Sequence, residues 1–168
     1  ASMFVNGGTH DDTINVGSLA PGIGGTVNGV SALLTIDGQA GTDTVNVDDT
    51  GDSVSNTGLL TSTNLTGLGM SHGIEYGNLE FFNTSLGSGG DIFSIKSTSA
   101  ESTLNAGSGD DRIIVGTLAP AMGGTLNDIG AALFINGQAG SDRVDVDDSG
   151  DSTDNTGSFT ASTMSGFG

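Results

Sequence analysis

The chain of 168 residues has no cysteine, no tryptophan and only two prolines, and it carries three Lys and Arg residues against 20 Asp and Glu. Without cysteine a disulfide framework cannot form, which excludes a small disulfide-stabilised scaffold. Clusters of Lys and Arg supply the affinity for phosphate, so a formal net charge of −17 argues against nucleic acid as a partner. No apolar run approaches the length of a membrane span, and we expect no membrane insertion.

Glycine is abundant instead, with 30 residues. Gly, Asn, Asp and Ser separate short runs in which β-branched or aromatic residues alternate with polar ones. This alternation is the pattern of half-buried strands, and the residues between the runs are those that turns require. The sequence therefore predicts a folded, all-β protein.

The chain also repeats itself at a spacing of 99 residues. Asp11 recurs as Asp110, Pro21 as Pro120 and Asp48 as Asp147. About half of residues 4–69 reappear unchanged at 103–168, and a fixed period of this kind is typical of repeat architectures. We predict one continuous structure made of a full first copy, residues 1–99, and a truncated second copy, residues 100–168.

A shorter unit recurs inside each copy: a strand, an Asn or Asp, a Gly-rich turn, an Asp and a second strand. Its five instances place the second strand and its leading Asp at residues 12–16, 43–47, 91–95, 111–115 and 142–146. The long gap between the second and third instances indicates a weaker unit near residues 60–65, and again near 159–164. Together these give about four units per copy.

Such a unit is too small to bury its apolar face alone, and stacking the units would bury a continuous core. The predicted fold is therefore a parallel β-solenoid (β-helix or β-roll-like) with Gly-rich corners and about four rungs per 99-residue repeat. The Asn or Asp before each turn, at positions 6, 37, 83, 105 and 136, is expected to stack on its neighbours in a ladder of amide hydrogen bonds.

The Gly-rich turn with its aspartate resembles the nonapeptide of the RTX (hemolysin-type) calcium-binding repeats, Gly-Gly-x-Gly-x-Asp-x-apolar-x. Residues 106–114 match best, and the five matches cover about a quarter of the chain. In that family, successive turns of a parallel β-roll hold Ca²⁺ between aspartate carboxylates and turn carbonyls. The resemblance implies calcium ligands at the matching aspartates: Asp12, Asp43, Asp91, Asp111 and Asp142.

The family's nonapeptides run in tandem, whereas these five aspartates lie at least 20 residues apart, as Asp91 and Asp111 do. The alternative interpretation is that each aspartate only caps its turn by accepting backbone N–H groups.

Each copy also carries an acidic loop, residues 46–52 and 145–151. Its beginning is similar to an EF-hand loop, but the closing glutamate of that motif is absent. The clustered carboxylates repel one another unless a cation lies between them. We therefore predict a further calcium site at the loop aspartates: Asp48, Asp49 and Asp52 in the first copy, and Asp145, Asp147, Asp148 and Asp151 in the second. The alternative is a solvated strand edge followed by a type I turn.

Basic residues that could assist catalysis are few. Arg112 and Arg143 are replaced by Thr13 and Thr44 in the first copy, and Lys96 is the only lysine. No nucleophile elbow, catalytic triad or phosphate loop is recognisable. We expect no enzyme, and a polysaccharide lyase is a less favoured alternative.

The predicted function is structural. We expect a repeat segment of a secreted or surface-attached bacterial protein, extracellular, that forms a calcium-stabilised rod or filament and associates end to end through open strand edges. Contact with carbohydrate or matrix is left open. The alternative is the stalk of a calcium-dependent adhesin whose ligand-binding domain lies elsewhere.

Overall fold

The computed structural model describes residues 1–167. These residues form strands and turns with no helix, and hence no helix that could cross a membrane. The strands, in chain order, are β1 Met3–Gly8, β2 Thr13–Val16, β3 Leu34–Gln39, β4 Thr44–Asp48, β5 Thr57–Leu60, β6 Asn64–Gly67, β7 Ile74–Gly77, β8 Phe81–Ser85, β9 Ile92–Ile95, β10 Glu101–Asn105, β11 Arg112–Val115, β12 Leu133–Asn136, β13 Arg143–Val146, β14 Ser158–Phe159 and β15 Met164–Ser165. The predicted all-β class is confirmed.

The strands belong to two main sheets. One has eight strands in the order β1-β3-β7-β6-β5-β9-β11-β13, and the other has five in the order β12-β10-β8-β4-β2. Strands of successive units pair in parallel, and equivalent residues lie side by side, as Ile14 with Val45 and Ile113 with Val144. The last two strands, β14 and β15, form a separate antiparallel pair.

The weaker unit predicted near residues 60–65 has a different structure. Strands β5 and β6 form an antiparallel hairpin inside the eight-stranded sheet, and β6 also pairs antiparallel with β7. The Thr61 hydroxyl accepts the backbone N–H of Asn64 at 3.0 Å and stabilises the tight turn. The strands β14 and β15 are the equivalent hairpin of the second copy, so no parallel unit forms at either place.

The two copies use the sheets in opposite order. In the first copy, the units β1–β2 and β3–β4 start in the eight-stranded sheet and end in the five-stranded sheet. In the second copy, the equivalent units β10–β11 and β12–β13 start in the five-stranded sheet and end in the eight-stranded one. The exchange occurs at β8, which lies between β7 and β9 in the chain and belongs to the five-stranded sheet.

A single apolar core lies between the sheets. It contains buried residues of both sheets, among them Val45, Phe82, Phe93 and Leu104. The ring of Phe82 stacks on Tyr76, with 4.2 Å between ring centroids. The alternation of apolar and polar residues places one side of each strand in this core, and burying it is the main stabilising term of the fold.

The core is covered where strands have neighbours on both sides and is open at the ends of the sheets. Val45 on β4 is 0% exposed because β2 and β8 flank it, whereas its equivalent Val144 on β13 is 47% exposed and has β11 on one side only. The hairpins differ in the same way, since Leu60 is 3% exposed and its equivalent Phe159 is 81% exposed.

Candidate functional site

The aspartates that begin the second strands form a ladder of hydrogen bonds from unit to unit. The backbone N–H of Asp12 donates to Asp43 Oδ1 at 2.9 Å, and the N–H of Asp43 donates to Glu80 Oε2 at 2.7 Å. Each carboxylate therefore accepts the N–H of the neighbouring unit, 31 or 37 residues away, and not an N–H of its own turn. These bonds link neighbouring corners.

A second ladder follows the corners of the later units. The N–H of Asn56 donates to Asp91 Oδ1, that of Asp91 to Asp111 Oδ1, and that of Asp111 to Asp142 Oδ1, at 2.7, 2.7 and 3.1 Å. All five corner aspartates predicted as calcium ligands thus take part in one ladder or the other. Four of their carboxylates accept a backbone N–H, but that N–H belongs to a neighbouring unit and not to the aspartate's own turn, as the capping alternative had it.

Two oxygens of these ladders are buried without a hydrogen-bond partner, Asp43 Oδ2 and Asp111 Oδ2. At Gly38, an added Cβ would lie 2.6 Å from Asp43 Oδ2 and 2.1 Å from the carbonyl oxygen of Asn78, so only glycine leaves room for the carboxylate under the turn. Burial raises the pKa of Asp111, and the negative charge of Asp142 adds to the rise. The pKa of Asp91 is likewise raised by burial, with a contribution from Asp111.

In the first copy, the acidic loop is bound to the long connection between β2 and β3. Asp48 Oδ2 accepts the N–H of Gly25 at 2.7 Å, and Asp49 Oδ1 accepts the N–H of Val27 at 2.9 Å. Asp52 accepts the backbone N–H of Val54, which with side-chain amide donors lowers the pKa of Asp52. The loop carboxylates therefore anchor neighbouring backbone segments.

Asp49 is the most strongly perturbed of these groups. Its carboxyl is 1% exposed, and burial raises its pKa to about 6 against the opposing N–H of Val27. The charges of Asp52, Asp91 and Asp48 add to the rise. The structure thus brings the acidic loop of the first copy close to the corner of β9.

The second copy repeats the anchoring contacts. Asp147 Oδ2 accepts the N–H of Gly124 at 2.7 Å and Asp148 Oδ1 that of Leu126 at 3.0 Å. The Ser149 hydroxyl and the Gly124 N–H lower the pKa of Asp147. The Thr153 hydroxyl and N–H lower the pKa of Asp151 to about 2.

Asp145 has a different environment from the other loop aspartates. Its two carboxylate oxygens accept the Nε–H groups of Arg112 and Arg143 at 2.8 and 2.6 Å, and these hydrogen bonds lower its pKa. Both arginine side chains are exposed and Asp145 is half-buried, and ion pairs at the surface contribute little to stability. Asp145 is bound by arginine and does not join the other carboxylates.

The arrangement can be compared with the oxygen cage that calcium requires, which takes six to eight ligands. Among residues 1–167, no group of three or more His, Cys, Asp or Glu side chains is arranged to hold a metal ion. One oxygen of four of the five corner aspartates, all except Asp12, accepts a backbone N–H.

The amide ladder predicted at the corners forms only in part. Asn136 Nδ2 donates to Asn105 Oδ1 at 2.9 Å as predicted, but Asn83 pairs with Asn46, and Asn46 with Asn15, in the middle of the strands. The reason is that β8 continues two residues beyond Asn83. Four of these asparagines, all except Asn136, line a groove of about 460 Å³ on the outer face of the five-stranded sheet.

Two members of the ladders, Glu80 and Asn56, are not among the residues that the sequence predicts. Glu80 directly precedes β8 as Asp43 precedes β4, and its longer side chain accepts the N–H of Asp43, as Asp43 accepts that of Asp12. Its position immediately before a strand could have identified Glu80 from the sequence. Asn56 contributes only its backbone N–H, for which the sequence holds no signal.

Known proteins give no further guide to the site: no family model, no curated protein and no solved structure matches this chain.

Proposed function

We propose that this chain is a segment of a structural rod, a parallel β-solenoid in which copies of the 99-residue repeat stack along one axis. The observation that carries the proposal is the continuity between the copies. Strand β8 of the first copy pairs in parallel with β10 of the second, and β9 pairs with β11 in the same register of equivalent residues that joins units inside a copy. Adjacent copies therefore share one core and need no linker.

The ladders support the same proposal. The bond from Asp12 to Asp43 recurs as the bond from Asp111 to Asp142, each spanning 31 residues. A contact that repeats with the sequence can extend to any number of copies. The net charge of −17 opposes lateral association of such rods, so growth along the axis is favoured over lateral aggregation.

We further propose that a secreted or surface protein uses this rod as a filament or matrix component, with end-to-end association through the strand edges. Unpaired edges with exposed apolar residues, such as Val144 and Val146 at 47% and 40% exposure, readily pair with another chain. A stalk for an adhesin would use the same rod without association of its ends.

Electron microscopy and sedimentation separate these two uses. We expect concentration-dependent fibres for the unmodified chain and their loss in Val144→Lys, which places a charge at the free edge. Leu118→Lys is the matched control, since Leu118 is 52% exposed on a connecting loop and belongs to no strand edge. Single particles of the unmodified chain at all concentrations would contradict the filament and favour the stalk.

Calcium remains a prediction. The candidate ligands for a cation at the corners are the two oxygens without a hydrogen-bond partner, Asp43 Oδ2 and Asp111 Oδ2, together with turn carbonyls. A thermal melt with and without millimolar calcium tests this, and an unchanged melting temperature would remove calcium from the proposal while leaving the rod intact.

A further inference from the structure

We infer that the free edge of the second copy is a docking site for a second connecting segment, the equivalent of the one that covers the first copy, and that this segment enters with the two sheets exchanged. The connecting segment is defined as residues 70–95, which contain β7, β8 and β9. The inference rests on the proposed stacking of repeats and specifies the partner of the open edge.

The first copy shows how the segment covers this edge. Strand β7 pairs with β3 and β6, β8 pairs with β4, and β9 pairs with β5. In the second copy the equivalent strands are β12, β15, β13 and β14, and none of their outer edges has a partner within residues 1–167. The docking site is thus a row of four strand edges whose counterparts are all covered by one segment.

The apolar residues at this edge have the exposure expected of an uncovered core. Met164 is 40% exposed, whereas its equivalent Leu65 is 0% exposed beneath the connecting segment. Val146 and Val47 differ similarly, at 40% and 2%. Docking of an equivalent segment would bury these side chains, and burial of such side chains is the usual source of affinity between strands and sheets.

One contact in the second copy marks the position that the equivalent of Phe93 would occupy. In the first copy the ring of Phe93 lies against Gly58, where an added Cβ would meet the ring at 2.3 Å. In the second copy the equivalent Gly157 lies against the ring of Phe167. In sequence, Phe167 is the equivalent of Leu68 in the first copy. A hairpin glycine packs against an aromatic ring in both copies, and Phe167 takes the place that Phe93 of a connecting segment occupies.

The exchange of sheets follows from the count of strands. The β5–β6 hairpin adds two strands to the eight-stranded sheet and none to the other. The first copy as a whole places six strands in the eight-stranded sheet and three in the other. If every copy did this, one sheet would gain about 14 Å over the other per copy, at the usual strand spacing, and the stack would curl. The second copy starts in the opposite sheet, so its hairpin would enter the five-stranded sheet once a β7-like strand lies between β12 and β15.

With this exchange both sheets gain the same number of strands over two copies. The eight-stranded sheet continues with a β8-like strand beside β13, which makes nine. The five-stranded sheet gains β7-like, β15, β14 and β9-like strands, which also makes nine. The structural period is then two copies, twice 99 residues, and equivalent loops of successive copies face opposite sides of the rod.

Cysteine cross-linking tests the docking and the exchange together, because the chain has no cysteine of its own. The chain is extended after Gly168 by a copy of residues 70–99, which continues the repeat in register. Phe134→Cys is combined with Glu75→Cys in the appended copy, since Thr35, the equivalent of Phe134, lies opposite Glu75 in the register of β3 and β7. Adjacent strands bring such Cα atoms within the range that a disulfide spans.

Two matched pairs accompany this variant. Thr35→Cys with Glu75→Cys in the first copy is the positive control and should oxidise to an intramolecular disulfide. Asp145→Cys with the appended Glu75→Cys is the pair expected to oxidise if the sheets are not exchanged. In that arrangement the appended β7-like strand would lie beside β13, the last strand of the eight-stranded sheet. We expect the Phe134 pair to oxidise as fully as the positive control and the Asp145 pair to stay reduced.

Oxidation of the Asp145 pair would overturn the exchange, and a reduced Phe134 pair beside an oxidised control would overturn the docking. Hydrogen exchange gives a second readout without substitutions. The Leu34 N–H bonds to Gly73 O and the Asp49 N–H to Ser85 O, so the equivalent amides of Leu133 and Asp148 should gain protection on extension. Fibres or rods without the Phe134 cross-link would refute this inference alone, whereas the cross-link without rods would refute only the proposed function.

Discussion

Replacement of Asp49 by asparagine should stabilise the protein at neutral pH and leave it unchanged in acid. The carboxyl is 1% exposed and accepts the Val27 N–H at 2.9 Å. Its pKa is raised by burial from 3.8 to about 6, with contributions from Asp52, Asp91 and Asp48. The folded state therefore favours the protonated form. An asparagine at this position is always neutral, and its side-chain oxygen can accept the same N–H.

The sign and size of the effect follow from linkage. A carboxyl whose pKa is raised on folding contributes stability below its unfolded pKa, and that contribution is lost as the pH rises through the folded value. The rise from 3.8 to about 6 corresponds to about 3 kcal/mol. The free energy of unfolding of Asp49→Asn should thus exceed that of the unmodified chain by up to about 3 kcal/mol at pH 7.5. The difference should disappear near pH 4.

Urea unfolding followed by circular dichroism, at several pH values between 4 and 7.5, measures this difference directly. Asp148→Asn is the matched control for replacing a carboxylate by an amide, because Asp148 accepts the Leu126 N–H in the same way and is half-buried at the open edge. Equal stability of Asp49→Asn and the unmodified chain at every pH would refute the reasoning, since it would mean that Asp49 carries no burial cost.

Three further predictions concern packing and metal. Gly58→Ala should lower the free energy of unfolding by about 1–3 kcal/mol, as overpacking does, because its Cβ would meet the ring of Phe93 at 2.3 Å. Gly157→Ala should lower it less, since the edge around Gly157 is open. Equal losses of the two variants in urea titrations would contradict this. Phe82→Ala should cost about 3–5 kcal/mol because Phe82 is fully buried on Tyr76, and a loss below 1 kcal/mol would show that the core is not formed as described. If calcium binds the corner ladders, millimolar calcium should raise the melting temperature of the unmodified chain and raise it less in Asp43→Asn, whereas an equal rise in both would place the ion elsewhere.

The pattern of apolar and polar residues predicts the strands and their pairing well. The second strands of the five units were all located, and equivalent residues such as Val45 and Val144 have equivalent inner partners in Ile14 and Ile113. The physical reason is that a strand has a side-chain period of two, and a one-residue slip in register would expose its apolar face.

The hairpin at β5 and β6 was not predictable in the same way. Its apolar residues Leu60 and Leu65 fit either a parallel unit or an antiparallel pair, because periodicity carries no information on strand direction. The exchange of sheets at β8 was missed for a related reason. It depends on which neighbours a strand finds in space, and the two copies, about half identical as repeats of one unit, place the same motif in opposite sheets.

The roles of the aspartates were predicted in outline only. Their place beside Gly-rich turns indicated acceptors or ligands, and both interpretations suit a carboxylate. The choice between them depends on a backbone N–H that lies 31 residues away for Asp43 and 20 residues away for Asp111. A contact of that kind becomes visible only when the units are stacked.

The central claim, that copies of the repeat stack in a rod, is tested most directly by small-angle X-ray scattering on chains with two, four and six copies. Nine strands per sheet for every two copies, at about 4.8 Å each, give about 43 Å of length per two copies. We predict a cross-section that stays constant and a length that increases by this amount at each step. A radius of gyration that instead grows as the cube root of chain length, as in a compact globule, would contradict the account.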